Sequence, residues 1–191
     1  MAPTGPEYRT DWVWSPNSNM HVANNRKWFT KLQKIGSHIT SLYCSDQRSD
    51  VHGIGDVEFD VKVNENLTRY KSRGKLVLKN VLYVPHSICN VIGGPIDKRY
   101  DIKRDDAGRK ISRLYRKRTG DAAGIIDHVR LPRLRLVGMN AKETSLNAEG
   151  GYLINVWWPD EERAKWLVPK TTSLPDLTPL EKAWIKAHFK T

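Results

Sequence analysis

The chain has 191 residues, 39% of them hydrophobic, with seven tryptophans, two cysteines and a formal net charge of +11. That is enough apolar material for one sizeable core, whereas two cysteines are too few for a disulfide scaffold. No apolar run approaches the length that crosses a bilayer, and residues 1–6 have neither a basic nor an apolar leader region, so a soluble intracellular protein, cytoplasmic or nuclear and without a membrane partner, is expected.

Residues 1–10 read as a flexible lead-in, because Pro3, Gly5 and Pro6 oppose regular structure, although the first strand is expected to begin as early as residue 8 and to run to Trp14. Asn24 and Asn25 mark a turn, and residues 26–29 a short helical or looped segment whose Trp28 and Phe29 pack on the core. Residues 38–44 are rich in β-formers and read as a strand. From Asp56 the chain alternates, with Val57, Phe59, Val61 and Val63 on one face and Glu58, Asp60 and Lys62 on the other, the pattern of a half-buried strand. Turns at residues 64–66 and 73–75 then lead into a strand over residues 76–84. Gly53-Ile54-Gly55 reads as a turn, since it lacks the third glycine and the following helix of a phosphate loop. Gly93-Gly94-Pro95 reads as the turn that ends a strand. Many short strands at close spacing argue for a closed or folded β architecture.

Further on, residues 100–102 and 110–115 suggest a hairpin around Asp105 to Gly108, with residues 117–120 as an exposed tip. Residues 131–137 set Leu134 and Leu136 against Arg133 and Arg135. Residues 151–158 and 164–168 read as two strands, or as a strand followed by a short helical turn. The tail reads as a C-terminal helix over residues 176–190: Thr178 can cap it, Pro179 suits its first position, and Glu181 closes a capping box. Leu177, Leu180, Trp184 and Phe189 would form much of its apolar face, for docking on the main domain or on a second subunit. The resulting organisation is a lead-in over 1–10, one domain over 11–170 with a basic extension over 98–135, and the helix.

Four stretches carry a resemblance. They are Trp12-Val13-Trp14-Ser15-Pro16-Asn17 with His21 after it, Gly53-Ile54-Gly55-Asp56-Val57, Asn80-Val81-Leu82-Tyr83-Val84-Pro85, and Asn90-Val91-Ile92-Gly93. Over residues 10–97 the chain resembles the protease region of copia-type LTR retrotransposon polyproteins. The resemblance implies a mainly β, retropepsin-like (acid-protease-type) β-barrel, and an activity in which two subunits each give one aspartate. Here Ser15 occupies the aspartate position, Pro16 and Asn17 replace the Ser-Gly that follows it, and His21 matches the family histidine.

Aspartic proteolysis needs two carboxylates sharing a proton across a water, and a serine hydroxyl cannot act as that base. The nearest acid, Asp11, lies about 13 Å from Ser15 along an extended strand at roughly 3.3 Å per residue. Ser15 also lacks the G-x-S-x-G elbow of a serine nucleophile, so it reads as a polar turn residue, with His21 a hydrogen-bonding residue beside it. The expectation is a catalytically inactive, domesticated relative, detached from integrase and polymerase, that serves as a peptide- or protein-binding or scaffold module, homodimeric or monomeric.

Two other readings remain open at this point. Between Lys98 and Arg135 stand thirteen Lys or Arg against five Asp, and Arg113, Arg116, Lys117, Arg118, Arg130, Arg133 and Arg135 could line a surface for nucleic acid, with Tyr100 and Tyr115 stacking on bases. Alternatively, Ser15, Asn17, His21 and Asp50 could serve an unrelated chemistry in the former cleft. No metal is expected, because His21, His38, His52 and His86 with Cys44 and Cys89 lack ligand spacing, and no cofactor is implied. The cysteines read as buried small hydrophobes.

Overall fold

The computed structural model describes residues 3–41, 47–65, 72–105, 110–129, 131–139, 144, 146, 152 and 154–167. Among these the architecture is mainly β. One sheet of eleven strands runs in the order β11-β3-β4-β5-β2-β6-β1-β10-β9-β8-β7. Its strands are β1 (Trp12–Ser15), β2 (His21–Ala23), β3 (Phe29–Ser41), β4 (Arg48–Lys62), β5 (Arg73–Tyr83), β6 (Asn90–Gly93), β7 (Tyr100–Arg104), β8 (Ile111–Arg116), β9 (Ala122–Asp127), β10 (Arg133–Leu134) and β11 (Val156–Trp157).

The sheet curls and closes on itself. After β10 pairs with β1, the chain continues along β4: Lys62 N donates to Arg135 O at 2.9 Å and Val137 N donates to Asp60 O at 3.0 Å. The enclosed face is apolar. The alternating Val57, Phe59 and Val61 all point into it with Leu76, Leu78, Ile126 and Leu136, as the period-2 pattern requires. Trp12 meets Trp28 and Phe59 edge-on, with ring centroids 5.5 and 4.8 Å away, geometry that the aromatic quadrupole favours.

Several sequence expectations are corrected. Regular strand begins at Trp12, not at residue 8, because Pro6 starts a 3-10 turn over Gly5–Arg9; Tyr8 there stacks on Trp28 and its hydroxyl donates to Val137 O. Gly53-Ile54-Gly55 is not a turn but the middle of β4, paired with both β3 and β5. The glycines serve close approach: a Cβ on Gly55 would lie 1.9 Å from Lys31 O. β3 starts at Phe29 rather than at residue 38. Its first half is exposed and carries two register shifts against β4, which break the alternation that marks a strand in sequence.

Asn80 has φ 56°, inside an irregular step where Leu78 pairs with Val57 but Val81 pairs with Gly55. Asparagine tolerates that left-handed conformation, and the step turns β5 from its outer to its inner run along β4. The hairpin of β7 and β8 forms, with Tyr100 opposite Arg116 and Ile102 opposite Leu114.

Of the two readings for residues 151–168, a strand followed by a short helix is the one that holds. The body ends at Pro159, and the second unit, Asp160–Thr191, contains α1 (Asp160–Leu167). Asp160, Glu161 and Glu162 open this helix, where carboxylates complement the N-terminal partial charge. Arg163 and Lys165 pair back to Asp160 and Glu162. The helix expected over 176–190 lies outside the described residues, as do Cys44 and Arg130.

Candidate functional site

The turn that follows β1 is the natural place to look for chemistry. β1 runs parallel to β6, with Trp12 beside Asn90 and Ser15 beside Gly93. Gly93 and Gly94 let the backbone of this turn pack closely: a Cβ on Gly93 would fall 2.2 Å from Met20 O, and Gly94 N donates to Ser18 O at 2.8 Å. Pro16 and Asn17 face solvent, whereas Ser15 and Ser18 are buried.

The hydroxyl of Ser15 is committed on both sides. It donates to Asn155 Oδ1 at 2.6 Å and accepts from the Ser18 hydroxyl at 2.9 Å. Ser18 Oγ in turn accepts from Val156 N at 2.9 Å. Asn19 completes the closure: its Oδ1 accepts from Trp158 N at 2.7 Å, and its Nδ2 donates to Trp158 O at 2.8 Å. The indole of Trp158, fully buried, donates to Ser37 Oγ on β3 at 2.8 Å. The segment around β11 therefore lies across the turn like a strap, satisfying polar groups that an open cleft would offer to a substrate.

Neither neighbour of Ser15 is set up for acid–base work. His21 is 3% exposed, and its Nδ1 accepts from Gly93 N at 3.0 Å, so the ring proton sits on Nε2. Burial drives its pKa down to about 4, leaving a neutral, structural imidazole. Asp11 is 2% exposed and its carboxylate is taken by Arg133, at 3.0 Å, and by the Thr144 hydroxyl. Its backbone carbonyl accepts from Asn90 N at 2.9 Å.

The structure does not gather Ser15, Asn17, His21 and Asp50 into one site. Ser15 and His21 are buried, Asn17 projects into solvent, and Asp50 lines a separate groove between β3 and β4. Cys89 is buried, and desolvation pushes its thiol up to about 12. Among the described residues no three His, Cys, Asp or Glu side chains gather as a metal-holding group.

The basic residues are distributed along β8, the tip after it, and β10, and most have partners within the chain. Arg113 pairs with Glu65 and lies 3.6 Å from Asp105. Lys117 lies 3.6 Å from Asp101. Arg116 donates to Lys75 O at 2.6 Å. Arg133 holds Asp11, and Arg135 Nε donates to Asp127 at 2.8 Å. Arg118 is exposed at the tip. Tyr100 is not a stacking platform: it is 4% exposed, and its hydroxyl bonds the backbone of Val77. Tyr115 is half-buried, with Lys103 Nζ 5.6 Å from its ring centre.

Two features escaped the sequence reading. Asn155 is a single polar residue in an unpatterned stretch, and nothing in the sequence ties it to Ser15. Ser112 and His128 are also brought together, with 2.8 Å between Oγ and Nε2. Burial lowers the His128 pKa, and Arg104 lowers it further. Ser112 is 3% exposed and His128 half-buried, and their hydrogen bond pins β8 to the residue after β9.

Residues 12–95, from β1 through β6, match the family model described as Pol polyprotein, beta-barrel domain. The match supports derivation of this part of the chain from a retroelement polyprotein. No curated protein and no solved structure matches the chain.

Proposed function

We propose that this barrel is a domesticated, copia-type retropepsin relative that has lost proteolysis and works inside the cell as a peptide- or protein-binding module. The observation that carries the reading is the closed network of Ser15, Ser18, Asn155 and Val156, in which every polar group at the former aspartate position has an internal partner. A general base is missing there, and Asp11, the nearest acid in sequence, is held by Arg133 and Thr144. The partner that Ser15 bonds comes from the same chain, so the turn does not require a second subunit, and a monomer suits this reading better than a homodimer.

The nucleic-acid reading draws less support, because Arg113, Arg133 and Arg135 are committed to carboxylates and Tyr100 to the core. The deciding experiment is an assay of unstructured protein substrates from acid to neutral pH, with and without a pepstatin-like inhibitor. No inhibitor-sensitive cleavage is expected at any pH; inhibitor-sensitive cleavage, abolished by Asp11→Asn, would overturn the reading.

A further inference from the structure

If the strap over Ser15 closes the old cleft, a binding module needs another surface, and one lies on the far half of the β3–β4 hairpin. A groove of about 520 Å³ opens there, within the size range of ligand sites. Its walls include Leu32, Ile35, Val51 and Tyr83, and its rim carries Arg26 and Lys34 against one carboxylate, Asp50. Ser15, Asn17 and His21 do not line it.

Two properties of β3 indicate the kind of occupant. On its outer side, among the described residues, β3 pairs with β11 only at Thr40 and Ser41, leaving the run from Phe29 toward Gly36 as a free sheet edge beside the groove. A free edge presents backbone donors and acceptors to any extended chain. Its charge is one-sided as well: Lys31 and Lys34 are exposed on β3 and Arg26 and Lys27 just before it, and among the described residues none of the four is in an ion pair. The exposed lysines deter a second copy of the same basic strand from pairing, while leaving an acidic strand attracted.

We propose that the β3 edge takes an extended acidic peptide, which adds to the sheet as a strand and sets alternate apolar side chains into the groove while its carboxylates meet Arg26 and Lys34. The inference rests on the reading of the chain as a peptide-binding module and locates that module's site.

The test selects a displayed library of random linear peptides against the whole protein, then measures binding of the enriched peptides by calorimetry. Enriched peptides are expected to combine acidic with β-branched or aromatic residues. Their affinity should fall about tenfold or more in the Arg26→Glu/Lys34→Glu variant, as expected for loss of a charge-assisted contact. Both residues are exposed, so the variant should fold, and far-ultraviolet circular dichroism checks this. Bound peptide should also slow amide exchange at Leu32 to Gly36. Peptides that bind the variant as tightly as the wild type overturn the groove and leave the peptide-binding reading standing; a library that yields no binder overturns both.

Discussion

His21 serves the architecture of the turn and is not available for proton transfer. Its imidazole accepts from Gly93 N and is desolvated until its pKa falls to about 4, from an ordinary 6.5. Between those two values the unfolded chain binds a proton that the folded chain refuses, so stability rises with pH across this window and is lost as pH falls through it. A shift of this size corresponds to roughly 3 to 4 kcal/mol between neutral pH and pH below 4, since each pKa unit is worth roughly 1.4 kcal/mol. Urea unfolding at a series of pH values should therefore show a steep loss of stability below pH 6.5, and His21→Gln should flatten it although it weakens the protein at neutral pH. An unchanged slope in that variant would mean that other groups carry the acid sensitivity.

At the scale of elements, the short strand β11 is held chiefly by side chains of the turn it covers. Val156 donates to Ser18 Oγ, Trp158 exchanges two bonds with the Asn19 amide, and Asn155 accepts from Ser15. Ser18→Ala removes the acceptor of one bond and the donor of another in a buried place. The expected loss is about 2 kcal/mol, the penalty for leaving a buried backbone N–H unsatisfied. Amide exchange at Val156 should accelerate in the variant while exchange at the central β4 and β5 amides changes only as far as global stability does. Unchanged Val156 protection would show that the strap is held by Trp158 and by its pairing with Thr40 and Ser41 instead.

The difference between these elements also explains what could be read from the sequence. The second half of β4 was legible because Val57, Phe59 and Val61 alternate toward a buried face. β11 falls inside the strand expected over residues 151–158, but its bounds were not legible, because two paired residues have no period. The exposed first half of β3 hid its strand character behind bulges, and the glycines of β4 imitated a turn because a backbone approaching to 1.9 Å of a virtual Cβ leaves no mark except the glycine itself. Ser15 was legible as a polar turn residue; that Asn155 would close over it was not, since 140 residues separate the two.

Over the whole molecule, a net charge of +11 sits beside pairs that remove several cations from solvent. Asp11 and Asp127 have side chains 2% and 5% exposed, and their partners Arg133 and Arg135 are 15% and 26% exposed. Salt reaches such pairs poorly, but it reaches exposed cations such as Lys31, Lys34 and Arg118, whose mutual repulsion acts against the compact state. Raising sodium chloride from about 0.01 M to about 0.15 M shortens the screening length from about 30 Å to about 8 Å. The folded protein should consequently gain up to about 1 kcal/mol, the scale of exposed charge interactions, seen as a rising urea midpoint with an unchanged slope. A falling midpoint would mean that exposed attractive pairs outweigh the repulsion, and the excess charge could then no longer be treated as unneutralised surface available to an acidic partner.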